Sequence, residues 1–124
     1  MNFPLDWPAN CPPLDAEPAD GEVYRIVRNN PMQTIDAATH RETGRLPKAT
    51  ACLRCGLSVF SELRDVLHQR ELFPKLGDFI AIANLAKKDG KMKLTQGRFP
   101  SHLTWWPYLE VDRVRLFTLV IEEE

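Results

Sequence analysis

The sequence predicts an α+β domain: a short, mostly antiparallel, split sheet carrying two helices. Three observations point there. The segments with helical spacing both lie before residue 75, whereas short runs rich in β-branched and aromatic residues crowd the second half. Turn signals of Gly, Pro or charged residues separate those runs. A chain of 124 residues, 44% apolar, supplies one hydrophobic core and not two.

The first 21 residues read as an extended, acidic arm. Prolines at positions 4, 8, 12, 13 and 18 remove backbone donors and fix φ, which excludes a helix or a central strand. Phe3, Leu5 and Trp7 are expected to pack on the domain surface or on a partner. Residues 22–121 form the expected single domain, and 122–124, all Glu, an acidic tail.

Within the domain, Val23-Tyr24-Arg25-Ile26-Val27-Arg28 reads as the first strand, closed by Asn29-Asn30-Pro31. Arg25 then shares a face with Val23 and Val27 and requires a partner there. Thr34 is expected to cap a helix running to Thr43, with Gly44 just past its end. Residues 45–51 read as a loop. Gly56 to Phe60 is a short apolar strand feeding a second helix, with Ser61 as N-cap, the stripe Leu63, Val66, Leu67, and Pro74 as its stop. Residues 79–83, 91–95, 101–106 and 113–121 are the remaining strands.

No run of about 18 apolar residues occurs, and the opening Met1-Asn2-Phe3-Pro4-Leu5-Asp6 lacks a signal-peptide pattern. Three cysteines, an odd number, fit reduced thiols. These features predict a cytoplasmic protein with no membrane association.

Charge is distributed unevenly. Residues 1–22 hold five acids and no Lys or Arg, while all 16 basic residues lie between positions 23 and 115, against nine acids, a net +7. A basic body attracts polyanions, unless the acidic ends fold back and neutralise it. Lys87, Lys88, Lys91, Lys93 and Arg98 fall within twelve residues beside the single acid Asp89. Two readings compete for them: a nucleic-acid surface with Trp105 or Trp106 alongside, and a solvated hairpin edge that discourages strand pairing.

Cys52-Leu53-Arg54-Cys55 is a lone C-x-x-C preceding a strand, which is not the redox-motif context. A zinc site built on Cys52 and Cys55 needs two more ligands, for which Cys11 with His40, His68 or His102 are the candidates, against ordinary buried thiols. In Ser101-His102-Leu103-Thr104-Trp105-Trp106-Pro107, alternation sets Leu103 and Trp105 toward the core and His102, Thr104 and Trp106 on the opposite face. His102 is the preferred functional histidine, because a strand fixes its direction and hydroxyls flank it. The competing reading is a histidine simply hydrogen-bonded at a sheet edge.

The order of Tyr24-Arg25 in a first strand, a helix, Leu57-Ser58-Val59-Phe60 leading into a second helix, and several short strands resembles the ADP-ribosyltransferase-like fold. That resemblance implies a site for NAD, with Arg25 and Ser58 in the positions that contact the dinucleotide. The late strands carry no Glu-x-Glu or Gln-x-Glu, and Gln96 sits in a turn, so the catalytic carboxylate of that superfamily has no counterpart. Arg25, Arg28, Arg98 and His102 would instead resemble the phosphate-binding RNA 2′-phosphotransferase branch. Gly56 to Phe60 and Ser101 to Pro107 also resemble segments of a small family of bacterial proteins, which implies no activity.

The sequence therefore points to a small-ligand or nucleotide-binding domain. His102, Arg25 and Ser58 are the candidate catalytic residues, and Arg28, Arg98, Thr104 and Trp106 the candidate ligand contacts. Two alternatives stand beside it. One is a non-enzymatic protein-interaction module using the arm or the Trp pair, and the other is nucleic-acid binding through the hairpin between Lys87 and Arg98.

Overall fold

The β-branched run after Asp20 lies inside the sheet, as its two-sided apolar pattern requires. In the computed structural model, which describes residues 1–47 and 49–122, the elements follow in the order β1 (Glu17–Pro18), β2 (Gly21–Val27), α1 (His40–Thr43), α2 (Ala51–Arg54), β3 (Leu57–Phe60), α3 (Leu63–Leu72), β4 (Phe79–Leu85), β5 (Gly90–Leu94), β6 (His102–Pro107), α4 (Arg113–Leu116) and β7 (Phe117–Leu119). The seven strands make one antiparallel sheet in the order β1-β5-β6-β3-β2-β4-β7. Short strands close both edges, which limits edge-to-edge pairing.

Period-two alternation divides the sheet's side chains into two faces. One face is a continuous core of Val23, Val27, Leu57, Val59, Leu103 and Trp105 among others, joined by Phe117. Trp105 is fully buried and its indole N–H donates to the Asp89 carbonyl at 3.0 Å. The opposite face carries two separate clusters. Phe60, Val66 and Ile80 lie beneath α3 with Tyr24, Ile26, Leu63 and Leu67. Trp106, Cys55 and Ala16 lie beneath the N-terminal arm with Phe3, Trp7, Cys11 and Cys52.

The arm is folded onto the domain. Phe3 stacks on Trp7 and meets Tyr108, with centroids 5.4 and 4.6 Å apart, while Leu5 stays fully exposed and takes no part. Glu17 and Pro18 pair with Met92 and Lys91, so the arm also supplies an edge strand.

Four α-helices replace the two expected. The residues from Thr34 to Thr43 do not form one helix: a 3-10 turn covers Thr34–Ala37, Ala38 is extended, and Thr39 starts α1 through a capping box with Glu42. Gly44 closes α1 at φ 70°, as its position after the helix implied. Helix α3 is capped at Glu62 and not Ser61, whose backbone N–H is held by the Ser101 carbonyl at the end of β6. Helix α2 begins at Ala51, the last residue of the expected loop, and continues through Arg54, where the sequence assigns no element. It has no side-chain cap, and is fixed by tertiary contacts at Cys52. The expected strand across residues 113–121 is half helix, because the Asp112 carboxylate accepts from Arg115 N and opens α4 before β7 begins. Lys48, which falls in the loop expected across 45–51, and Glu123 and Glu124 of the expected acidic tail lie outside the described residues; Glu122 pairs with Arg70.

The expectation of three reduced thiols is overturned. Cys11 and Cys52 form a disulfide, leaving Cys55 as the buried free thiol. Cys52 is therefore not available with Cys55 as a zinc ligand, and no group of three or more potential metal ligands occurs among the described residues. The thiol argument for a cytoplasmic location falls with it. No helix among the described residues is long and apolar enough to cross a membrane.

The disulfide spans 41 residues of sequence, a loop whose closure restricts the unfolded chain by about 4 kcal/mol on the chain-entropy account. Denaturant titration of a Cys11→Ser, Cys52→Ser double variant is expected to show a loss of that order. Thiol titration of the unreduced, denatured protein is expected to count one reactive group and not three.

Candidate functional site

The two clusters on the α3 face leave a polar strip between them, made by Ser58 of β3 and by His102 and Thr104 of β6. Ser58 pairs with Thr104 and Phe60 with His102, so all four side chains share one face. Beside this strip the sheet opens. The β2–β3 ladder registers at the single pair Tyr24–Phe60, so Ile26 does not meet Ser58 and Val27 does not meet Leu57. A cleft of about 480 Å³ occupies this region, with Ile26, Val27 and Arg28 on one side and Ser58, Phe60 and His102 on the other.

Arg25 bridges the opening from the core-facing side of β2. Its Nε donates to the Asp36 carbonyl at 2.9 Å and its Nη1 to the Ser58 carbonyl at 2.8 Å. These are the partners that its position between Val23 and Val27 demanded. Burial pulls its pKa down to about 10, offset in part by the Asp36 charge and reinforced by Arg113. Arg25 therefore remains a cation at neutral pH.

Asp36 anchors the far wall. Its carboxylate accepts from Arg28 N at 2.8 Å, Gln33 N at 2.8 Å and Asn29 Nδ2 at 3.0 Å. Burial opposes its ionisation, but the donors from Gln33, Arg28 and Asn29 prevail and hold its pKa below the ordinary value. It is the one carboxylate lining the cleft among the described residues, and its oxygens are already engaged.

The remaining polar lining is cationic or neutral. Arg28, His40 and Arg45 join Arg25 on the walls, and Arg28 and Arg45 make no ion pair among the described residues. Burial, then the charges of Arg25, Arg45 and Arg54, lower the pKa of His40. Ile26, Ile35, Phe60 and Leu76 give the same cleft an apolar side. Gln69 Oε1 is buried at its edge without a hydrogen-bond partner.

His102 sits in a short relay. Its Nε2 is 3.1 Å from Ser58 Oγ, and its Nδ1 is 3.0 Å from Thr95 Oγ1 and 3.2 Å from the Thr95 carbonyl. Thr95 Oγ1 is in turn 2.8 Å from Thr104 Oγ1. Burial lowers the His102 pKa against a smaller opposing effect of the Thr95 carbonyl, which favours the neutral ring. Gly97 lies against that ring: a Cβ there would stand 2.7 Å from His102 Cγ, closer than real contacts allow. His102 is thus hydrogen-bonded at Thr95, as the sheet-edge reading requires, and lines the cleft beside Ser58.

Of the residues singled out from sequence, Arg25, Arg28, Ser58 and His102 line one cleft. Thr104 is buried behind it and contributes only through Thr95. Arg98 lies elsewhere, its guanidinium 5.0 Å above the Phe73 ring. Trp106 is fully buried under the arm, with its indole N–H donating to the Cys52 carbonyl at 2.9 Å, and does not reach the cleft. Lys87 and Lys88 are exposed on a 3-10 turn, while Lys91 and Lys93 are half-buried on β5 beside the arm, where Asp15 pairs with Lys93 at 2.7 Å. Sequence reasoning missed Asp36, His40, Arg45, Thr95 and Gly97. Asp36 alone gave a signal, an acid following Asn29-Asn30-Pro31 whose side chain can collect turn amides.

No family model matches the chain, and no curated protein or solved structure matches it either.

Replacing Asp36 by Ala would strand three donors beside a buried guanidinium. The expected cost is about 3 kcal/mol by chemical denaturation. The histidines give a pH dependence of defined sign. Both His40 and His102 have lowered folded pKa values, so as pH falls through about 6.5 the unfolded chain takes up protons that the folded chain refuses. Thermal midpoints are expected to be lower at about pH 5.5 than at about pH 7.5, with a smaller drop in a His40→Gln, His102→Gln double variant.

Proposed function

We propose that the cleft between β2 and β3 binds a small phosphorylated ligand of the nucleotide class, with NAD and its fragments as the first candidates. One observation carries this reading: Arg25, Arg28 and Arg45 converge on a cleft whose single carboxylate among the described residues is already engaged. Excess positive charge at a partly desolvated site favours an anion, and guanidinium groups match phosphate oxygens. The apolar wall of Ile26, Ile35, Phe60 and Leu76 suits a ring attached to that anion. Gln69 Oε1 offers an acceptor to it.

The resemblance to the ADP-ribosyltransferase-like fold supports the choice of NAD as a probe. Ribosyl transfer is not part of the proposal. Asp36 is bound up by backbone donors, which leaves no cleft carboxylate among the described residues to stabilise an oxocarbenium-like transition state.

Arg28 and Arg45 are exposed, so removing them tests binding without disturbing the core. Thermal shift with NAD, ADP-ribose, ADP and inorganic phosphate is expected to show stabilisation by at least one of them. Arg28→Ala and Arg45→Ala are each expected to weaken that ligand about tenfold, the loss of one charge-assisted contact. Absence of stabilisation by all four compounds would count against the reading, as would equal binding by the double variant.

A further inference from the structure

We propose that Ser58 and His102 are a nucleophile and general-base pair acting on a phosphoryl group held in the cleft, so that the protein transfers or hydrolyses that group through a serine-linked intermediate. The proposal rests on the anion-binding reading above for its substrate class.

The geometry meets the requirements for an activated hydroxyl. Ser58 is exposed to the cleft, and its Oγ stands 3.1 Å from His102 Nε2, within the range for proton transfer. The other ring nitrogen fixes the tautomer. The Thr95 carbonyl, 3.2 Å from Nδ1, can only accept, so the hydrogen-bond network assigns the proton to Nδ1 and leaves Nε2 to accept from Ser58. Thr95 Oγ1 then accepts from the same Nδ1–H and passes its own hydrogen to Thr104 Oγ1. A backbone carbonyl and a threonine thus orient the imidazole where a carboxylate does so in the Ser-His-Asp arrangement. Gly97 and Phe60 pack against the ring from outside the relay, the latter with centroids 5.4 Å apart.

The electrophile follows from the surroundings. Arg25 Nη1 is bonded to the carbonyl of the nucleophile's own residue, and Arg28 lines the cleft across from Ser58, so a phosphoryl group drawn in by these guanidinium groups occupies the same cleft as the Ser58 hydroxyl. In the first step the Ser58 Oγ–P bond forms as the P–O bond to the leaving group breaks. His102 Nε2 takes the hydroxyl proton and returns it to the leaving oxygen. In the second, water attacks phosphorus, gives its proton to His102, and the Oγ–P bond breaks with the proton passing back to Ser58. Phosphate is released and the hydroxyl and neutral imidazole are restored.

The test uses the full chain and a fluorophosphonate probe, whose P–F bond stands in for the P–O bond. Intact mass and peptide mapping are expected to find one adduct, on Ser58, and none in Ser58→Ala. The labelling rate is expected to fall about 100-fold in His102→Gln and about tenfold in Thr95→Val, with thermal unfolding showing that both variants are folded. Inorganic phosphate is expected to slow labelling of the native protein. No adduct at Ser58 overturns the proposal, as does labelling at the native rate in both variants; labelling indifferent to phosphate overturns the phosphoryl assignment. Ligand stabilisation measured on Ser58→Ala separates the two readings. Stabilisation of that variant without labelling of the native chain rejects the nucleophile alone. Labelling without any ligand stabilisation rejects the anion-binding reading.

Discussion

A guanidinium buried at the parting of two strands is the constraint around which this fold is arranged. Arg25 leaves β2 between Val23 and Val27, two of the most enclosed side chains in the main core. A cation there is tolerable only if its donors are satisfied. The acceptors are main-chain carbonyls of Ser58 and Asp36, one from β3 and one from the 3-10 turn. Pairing β2 fully with β3 would supply backbone amides in place of the side chain, so the opening of the ladder and the burial of the arginine are two descriptions of one arrangement. Asp36 completes it: its carbonyl takes Arg25, while its carboxylate gathers the amides that shape the turn after β2. The cleft is what remains where the ladder is missing.

The same sheet face that holds the cleft shows how a polar strip survives inside a small domain. Trp106 and Phe60 lie on that face, and each draws its own cover, the disulfide-tethered arm over the first and α3 over the second. Neither cover extends across Ser58, His102 and Thr104. Thr104, the most buried of these, is satisfied by Thr95, and His102 is satisfied on one side by the same residue. The strip therefore costs little as structure while leaving Ser58 Oγ, paired with the second imidazole nitrogen, on the lining of the cleft. Gly97 is part of this economy, because the β5–β6 loop can close on His102 only where no Cβ intervenes.

Much of the strand architecture was legible because period-two alternation is a local property. Val23 to Val27, Leu57 to Phe60 and His102 to Trp106 appear as strands with the face assignments that alternation requires, and Ser58 meets His102 because β3 and β6 pair; Arg25, from the opposite face, reaches the cleft only where the β2–β3 ladder opens. What could not be read depended on partners distant in sequence. Helix α2 exists because Cys52 is tied to Cys11 and accepts from Trp106, 54 residues away. Trp106 had the right face but the wrong surroundings, since alternation cannot say that an arm of prolines and aromatics will lie on top of it. The break at Ala38 and the displaced cap at Glu62 are cases in which a competing hydrogen bond, from Thr39 with Glu42 or from Ser101, overrode a local signal.

Charge placement connects these features to the cleft. Both readings of the basic body depended on where the acidic arm would lie, and it lies along β5 and against α1, with Asp15 on Lys93 and Asp6 on Arg41. Glu42 and Glu122 occupy Arg113 and Arg70 in the same way. Such exposed pairs add little stability, but they cancel field. The cancellation is local: among the described residues it takes up Lys93, Arg41, Arg113 and Arg70, and it reaches neither Arg28 and Arg45 on the cleft nor Lys87, Lys88 and Lys91 on the hairpin. In a chain with a net charge of −1, the cleft is thus one place where guanidinium groups gather without an ion-pair partner among the described residues. The acidic arm therefore leaves the guanidinium groups of the cleft untouched, since its carboxylates pair with Lys93 and Arg41 and, among the described residues, with neither Arg28 nor Arg45.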